Sequence, residues 1–409
     1  MSLSSSDAAV SNRPRADARL DLNPGGAVEI VRVDSRQQLR EFIDLPWSIY
    51  RNAPLWVPPL KSQIKHLLDP TRHPFWKHGE RELFLARRKG RTVGRIAAII
   101  DHSYNRFHDE RMGIFGYFEC EPDQGATDAL IGAAADWTRR RGMTFLRGPM
   151  NGSTNYELGL LIHGYEHPPT IMMPWQPPYY LDLLEGSGLT KEKDLLAMLI
   201  DRDHTTSPRV AKLVERIKRN HNISIRTATR RTLDRDLAMV KQIYYESWSK
   251  NWGFVPMSDE EFDESSRQMA RIMDPDLVLY MYHQDEPAGI CVILPDMNPL
   301  LKRLNGHMGL IGLFKYFYYR HEVNGLRAIL FGFKPQYRKL GLPLVAFAHL
   351  ETLLRKQQKY NYLELGWNLE DNEDINRFDT EVGGREYKRY RLFRKELTTE
   401  SAGVAVPTA

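Results

Sequence analysis

The sequence predicts an α/β fold with a mixed sheet, built twice in tandem. Three observations point to it. First, strand 114–119, helix 126–140 and strand 143–148 are matched in order and spacing by strand 328–333, helix 344–358 and strand 361–366. The offset, roughly 215–218 residues, is that of a duplicated domain rather than a solenoid repeat. Second, each block follows strands joined by a tight turn, at Lys89-Gly90 in the first half and at "DEP" in the second. Third, 409 residues with 42% hydrophobic side chains can bury more than one core. The alternative is two unrelated α/β units whose order agrees by accident. Agreement of order and spacing together favours duplication.

In chain order, residues 1–27 are rich in Ser, Ala, Asp, Arg, Pro and Gly and lack an apolar stretch, so they read as a disordered arm and not as a signal peptide. "VEIVRV" reads as a strand, and "SRQQLREFIDLPWSIYR" as a helix capped by Ser35. A proline-broken aromatic segment leads to "ELFLARRKG", "RTVGRIAAIID" and "RMGIFGYFEC", three strands in a row. Helix 126–140 ends at Gly142, and "MTFLRGP" follows as a strand. The first domain is placed at 28–200, a connector with a basic helix at 201–225, the second domain at 226–397, and a disordered tail at 398–409. In the second domain "LVLYMYHQ", "AGICVILP", "RAILFGFKP", "YNYLELGW" and "REYKRYRLF" read as strands, and "EDINRFDTE" as a short helix.

The 57 basic and 52 acidic residues nearly cancel to +5, which gives no argument for a nucleic-acid partner. Cys120 and Cys291 form neither a disulfide framework nor a pair at metal-ligand spacing. No apolar run reaches the ~18–20 residues of a membrane span. The expectation is a cytoplasmic protein able to lie on a membrane surface. Histidines are frequent in the first half, but no HExxH pair or compact ligand quartet occurs, so neither metal nor prosthetic group is expected. No G-x-S-x-G elbow supports a serine hydrolase.

The stretch "FGFKPQYRKLGLP", 331–343, runs from an apolar strand through a basic turn into an apolar helix. Such a turn presents unpaired backbone N–H groups at the positive end of the helix dipole. Gly341 permits close backbone approach, Pro343 suits the first helical turn, and Lys334, Arg338 and Lys339 supply charge. The pattern suits a pyrophosphate. An ordinary turn with a solvated basic rim is the plain alternative.

Arg338-Lys-Leu-Gly341-Leu-Pro343 resembles the R/Q-x-x-G-x-G/A loop of the GNAT (GCN5-related N-acetyltransferase) superfamily. Downstream, "LELGWNLEDNEDINRFDTEVGG" is similar to that fold's fifth strand and asparagine-containing helix, with Asn372 at the asparagine and Gly383 at the closing glycine. The resemblance covers 226–395 well and 28–200 more weakly. In the first half the corresponding loop, "EPDQGATDA", carries Glu121 and Asp123 in place of the arginine, so this copy reads as degenerate or substrate-shaping. Pro343 replaces the loop's last small residue. The tyrosine that often protonates the leaving thiolate is replaced by Phe378 or Asp379, according to the alignment. The resemblance implies acyl-CoA as donor substrate, held by Phe331, Phe333, Lys334, Arg338, Lys339, Gly341, Leu342, Asn368 and Asn372. It also implies a parting of the fourth and fifth strands that admits the pantetheine arm.

"HPFWKHGERELFLARRKGRTVGRIAA", "NRFHDERMGIFGYFE", "GPMNGSTNYELGLLIHG", "WSKNWGFVP", "LPDMNPLLKRLNGH" and "LFGFKPQYRKLG" further resemble a narrower group, the YghO-like proteins, which includes bacterial ceramide synthases. This implies transfer of a fatty acyl group from acyl-CoA or acyl carrier protein to a lipid amine, a sphingoid base or its 3-oxo precursor. The aromatic segment "GLIGLFKYFYYRHE" with Lys315 and Arg320 suits a headgroup interface, while a core helix is the commoner use of such a segment.

Acyl transfer needs a neutral amine, a polarised carbonyl, donors to the oxyanion and a departing thiolate. Candidate bases are Glu364 in an apolar strand, where burial would raise its pKa, and Glu157 and Asp296 in loops. Candidate acceptor contacts are His102, Asn155, Trp252 and Asn298. Two other readings stay open: an acyltransferase for a small polar amine, and a non-catalytic tandem protein that binds acyl-CoA or lipid.

Overall fold

A computed structural model describes residue 22 and residues 24–205, 207–229 and 231–397. Most of the expected arm, and the tail 398–409, lie outside the described residues. The arm's inner end is held: the Leu22 carbonyl accepts from the Gln124 amide (2.7 Å), and the Gly25 carbonyl from Arg88 (2.6 Å).

The first half begins with β1 (Val28–Arg32) and α1 (Arg36–Ile49). Ser35 and Gln38 close a reciprocal capping box at the start of α1, as the Ser-x-x-Gln spacing dictates. After α2 (Lys61–Leu67) come β2 (Gly79–Arg88), β3 (Arg91–Asp101), α3 (His102–His108) and β4 (Met112–Cys120). Then follow α4 (Gln124–Arg139), β5 (Phe145–Gly148), β6 (Leu160–His163), α5 (Tyr179–Gly186) and β7 (Thr190–Asp201). The connector holds α6 (Pro208–His221), started by Ser207 and a proline in its first turn.

The second half runs β8 (Ile223–Thr227), α7 (Leu233–Trp248), α8 (Asp259–Ala270), β9 (Val278–His283) and β10 (Glu286–Pro295). It continues with α9 (Asn298–Leu304), α10 (Leu310–Tyr319), β11 (Gly325–Phe333), α11 (Leu342–Gln357), β12 (Tyr362–Leu369), α12 (Glu373–Glu381) and β13 (Arg385–Glu396). The six strands and helices of the expected duplication all form, within a few residues of their expected bounds.

Thirteen strands make one sheet in the order β1-β2-β3-β4-β5-β13-β7-β12-β11-β10-β9-β8, with β6 on β13. Pairing is antiparallel except for β4 with β5 and β11 with β12, the two crossovers that carry α4 and α11. The last strand of each half lies beside the fifth strand of the other: β13 pairs β5, and β7 pairs β12. β7 and β13 also pair with each other along most of their length. Each half therefore completes the other's sheet. Both faces of β3 and β4 are buried in apolar clusters, which explains why those strands read as near-continuous apolar runs.

Candidate functional site

The two parallel pairings are short, and they end differently. β11 pairs β12 only from Gly325↔Tyr362 to Ala328↔Leu365, after which β11 runs on to Phe333. β12 breaks register at Gly366-Trp367 and rejoins β7 at Asn368. The strands part there, and a cavity of about 930 Å3 opens between them. This lies at the upper end of the roughly 300–1,000 Å3 usual for small-molecule sites. Phe331, Phe333, Trp367, Leu369 and Phe378 line it, with Phe331 stacked on Phe378 at 5.7 Å.

The basic loop stands beside this gap. Gly341 has φ +77°, a conformation glycine adopts without strain, and turns the chain into α11. Among the described residues no side chain caps α11, so the amides of its first turn keep the anion-binding character expected of a bare helix start. Arg338, Lys339 and Pro343 line the cavity. The Arg338 guanidinium is partly engaged, donating to the Phe333 carbonyl (3.2 Å) and the Ser247 carbonyl (2.7 Å). Lys339 is exposed. Lys334 does not join it: its buried side chain points to Glu246 at 3.8 Å. The Leu342 side chain is fully buried in the core, leaving only its backbone for a ligand.

Asn372 precedes α12 and lines the cavity, as does Asn368. Asn368 donates to one oxygen of Asp379 (2.7 Å); the other oxygen has no hydrogen-bond partner among the described residues. Burial pushes the Asp379 carboxyl up to about 7, against the opposing pull of the Asn368 amide.

The facing wall combines residues of both halves. Asn155 and Trp252, both expected at the site, line the cavity. Asn155 donates to the Val255 carbonyl (3.1 Å) and accepts from the Tyr244 hydroxyl (2.6 Å). Trp252 lies between Arg147 and Lys193 at cation–π distances of 5.0 and 5.5 Å. α7 and α8 close the cavity with Tyr244, Trp248, Phe262 and Met269. α8 is latched to the first half: His78 bridges Asp101 (3.1 Å) and Glu261 (2.8 Å), and Tyr156 donates to Glu261 (2.8 Å). Burial opposes a charge on His78, but the two carboxylates outweigh it and lift its pKa to about 9.

Glu157 follows the cavity-lining Thr154-Asn155-Tyr156 but is not itself one of the lining residues; its carboxyl accepts from the Asn151 side-chain amide (3.1 Å). Solvent reaches it, although protein crowds around it. That crowding, and then the charge of Glu119, push its carboxyl up to about 7, while Arg95, Asn151 and Arg327 oppose the shift.

Glu364 and Asp296 do not reach the cavity; both belong to a buried frame. Glu364 has no exposed surface and sits 3.2 Å from Arg327 and 3.9 Å from Lys388. It also accepts from Thr170 and Tyr387. Asp296 accepts from the Ile171 amide (2.9 Å), the Asn298 amide (3.1 Å) and the Tyr362 hydroxyl (2.7 Å). Burial raises its carboxyl above the usual range. Asn298, also in this frame, donates to the Pro169 carbonyl (2.8 Å). A carboxylate whose lone pairs are filled by cations and hydroxyls is a poor base, so the expectation from an apolar strand is corrected to a structural role. His102 is likewise displaced: it pairs with Glu80 (2.7 Å) on the surface of the first half. Sequence reasoning missed Arg327, which lines the cavity while binding the frame. An arginine within an apolar strand was the available signal.

In the first half the equivalent gap is filled. After β5 the chain continues alongside β4 in the same direction: the Met150 amide donates to the Phe115 carbonyl (2.9 Å), and Asn151 accepts from the Tyr117 amide (2.7 Å). A Cβ on Gly116 would lie 2.1 Å from the Met150 carbonyl oxygen, so only glycine admits this approach. Asp123 caps α4, accepting from Ala126 (2.9 Å), and is gripped by Arg88 at 2.7 and 2.8 Å.

A duplicated sheet that parts at one crossover beside a bare helix start is the fold of tandem GNAT proteins. A tandem GNAT protein from the clavulanic acid biosynthesis pathway superposes with a TM-score of 0.55 at 14% identity, over 91% of this chain and 99% of that one. A GCN5-related glucosamine N-acetyltransferase region of a fungal multi-domain β-N-acetylglucosaminidase gives 0.55 at 12% identity, over 91% of this chain and 38% of that one. No family model matches the chain. It is 32% identical over 371 residues to protein YghO of Escherichia coli (strain K12), covering 89% of this chain and 94% of that protein. It is also 32% identical over 380 residues to bacterial ceramide synthase of Caulobacter vibrioides (strain NA1000 / CB15N), covering 90% and 98%. The chain belongs to the family of YghO and bacterial ceramide synthase.

Proposed function

We propose that the protein is an N-acyltransferase that moves a fatty acyl group from a phosphopantetheine thioester, acyl-CoA or acyl carrier protein, to the amine of a long-chain base. The observation that carries this reading is the parted β11–β12 edge, which opens into a large apolar cavity beside an uncapped, cation-flanked helix start. The phosphate end of the donor lies at Lys339, Arg338 and the first amides of α11. The pantetheine arm adds to the free edge of β11 beyond Ala328, as a strand would. The aromatic cavity accommodates apolar chains much larger than an acetyl group. The relationship to bacterial ceramide synthase supports a lipid amine as acceptor.

The amine nitrogen attacks the thioester carbon, the C–N bond forms, and the C–S bond breaks. A carboxylate at Glu157 takes the proton released by the amine. Asp379, at the position where the GNAT pattern has tyrosine, returns a proton to the departing sulfur. Both groups titrate near neutrality, which suits a base and an acid working at the same pH. Phe378, the other occupant of that position, is a ring stacked on Phe331 and has no proton to give.

The test is thiol release by the purified protein from palmitoyl-CoA or palmitoyl-acyl carrier protein, with sphinganine, 3-oxosphinganine or a small polar amine as acceptor. Release with the long-chain bases and formation of the amide is the expected result. Release only with polar amines would move the acceptor class, and donor binding without release from either thioester would overturn catalysis.

A further inference from the structure

Helix α10 inverts the usual arrangement of a surface helix. Leu310, Ile311, Leu313, Phe314, Phe317 and Tyr318 are all exposed, Leu310 by 82% and Phe314 by 79%. At ~100° per residue they fall on one contiguous arc. The opposite side carries Gly312, Tyr316 and Tyr319, and Tyr316 and Tyr319 pack against the buried cluster of Leu300, Leu304 and Val323. The side facing water is thus wholly apolar, a patch of the kind that marks an interaction site.

Charge selects the partner. Across 298–323 the cations Lys302, Arg303, Lys315 and Arg320 face a single acid, Glu322, which is paired with Arg303. Lys302, Lys315 and Arg320 have no acidic partner among the described residues; Lys315 instead donates to the Arg303 carbonyl (3.0 Å). A second copy of this face would bring like charges together, whereas an anionic bilayer attracts them. No helix among the described residues is long and apolar enough to cross a membrane, so insertion is limited to the interface.

The geometry points to α10 as an in-plane anchor that seats its apolar face in the headgroup region of an anionic lipid bilayer. This stands apart from the acyl-transfer reading and holds with or without it. α10 precedes the start of β11, and the basic loop follows its end, a strand of about 30 Å at ~3.3 Å per residue. The bilayer and the donor's phosphates therefore meet opposite ends of the same strand. Ile171, whose amide donates to Asp296 just before α9, adjoins the cavity-lining Met172.

The experiment is flotation of the full chain with vesicles of phosphatidylcholine, with and without phosphatidylglycerol. Wild type should float with the anionic vesicles and less with the neutral ones, and added salt should weaken the difference. Phe314→Glu/Phe317→Glu should cut the vesicle-bound fraction at least about tenfold while leaving the melting temperature unchanged. Arg320→Glu should lower binding to the anionic vesicles only. Absence of wild-type flotation, or flotation unchanged in the double variant, would overturn the proposal. So would a wild-type dimer in light scattering that the double variant dissolves, because the face would then cover a second copy.

Discussion

The two halves share one crossover plan and treat its two critical points in opposite ways. At the helix start, the first half places its own carboxylate: Asp123 caps α4 and is locked by Arg88. The second half leaves α11 uncapped beside Lys339. At the strand edge, the first half lays residues 150 and 151 along β4, whereas the second leaves β11 free past Ala328. The contrast teaches that an anion site is made by what is withheld. A helix dipole and a strand edge are present in both halves, and a single aspartate with a short extension of chain past β5 is enough to satisfy them internally.

Five substitutions break or sharpen that contrast. The largest effect falls on the two proposed proton carriers, Asp379 and Glu157. Asp379→Asn should lower kcat by about a hundred- to thousandfold and leave donor KM nearly unchanged. Both acids titrate near 7, so the wild-type rate should rise with pH as Glu157 loses its proton and fall as Asp379 loses its own. Glu157→Gln should remove the rising limb and Asp379→Asn the falling one, as read by thiol release from pH 5 to 9. Next, Lys339→Glu should raise donor KM about tenfold and make it more sensitive to salt, with acceptor KM unmoved.

The mirror change in the filled half should leave kinetics alone. Asp123→Ala removes a cap and the partner of Arg88, and should lower stability by about 1–2 kcal/mol in urea unfolding with donor KM unchanged. A raised KM there would mean the first half also holds donor. A separate effect, on stability against pH, concerns the latch between halves. His78 has its pKa raised from 6.5 to about 9, so its contribution is full below pH 6.5 and is lost as pH rises through 9. The stability of wild type should decline across that window, by about 3 kcal/mol at most, and His78→Gln should flatten the decline.

Much of this was legible in the sequence because the signals are local. Capping at Ser35, the glycine turn at Gly341 and the alternation of strands depend on neighbours in the chain. The departure from arginine in "EPDQGATDA" agrees with what stands at the start of α4, the Asp123 cap. The exchange of β7 and β13 was not legible, since an alternating strand carries no label for its partner. The run "LLAMLI" within β7 satisfies strand and buried-helix patterns alike, and no strand was read there. Glu364 failed for a related reason: one glutamate in an apolar strand reads the same whether it faces water or Arg327 and Lys388. The role of α7 and α8 as a roof depends on contacts with Tyr156 and His78, more than a hundred residues away in the chain, which periodicity cannot see. α10 was recognised as an aromatic segment suited to core or interface; only its packing distinguished them.

The exchanged terminal strands bear on how the molecule tolerates a broken backbone. With β13 lodged between β5 and β7, a cut in the connector would yield two fragments still interleaved through a common ladder. Neither piece could be shed or evolve away alone, because each would leave the other with a raw, unpaired margin. The first half is thereby bound to the second as one body through a shared ladder.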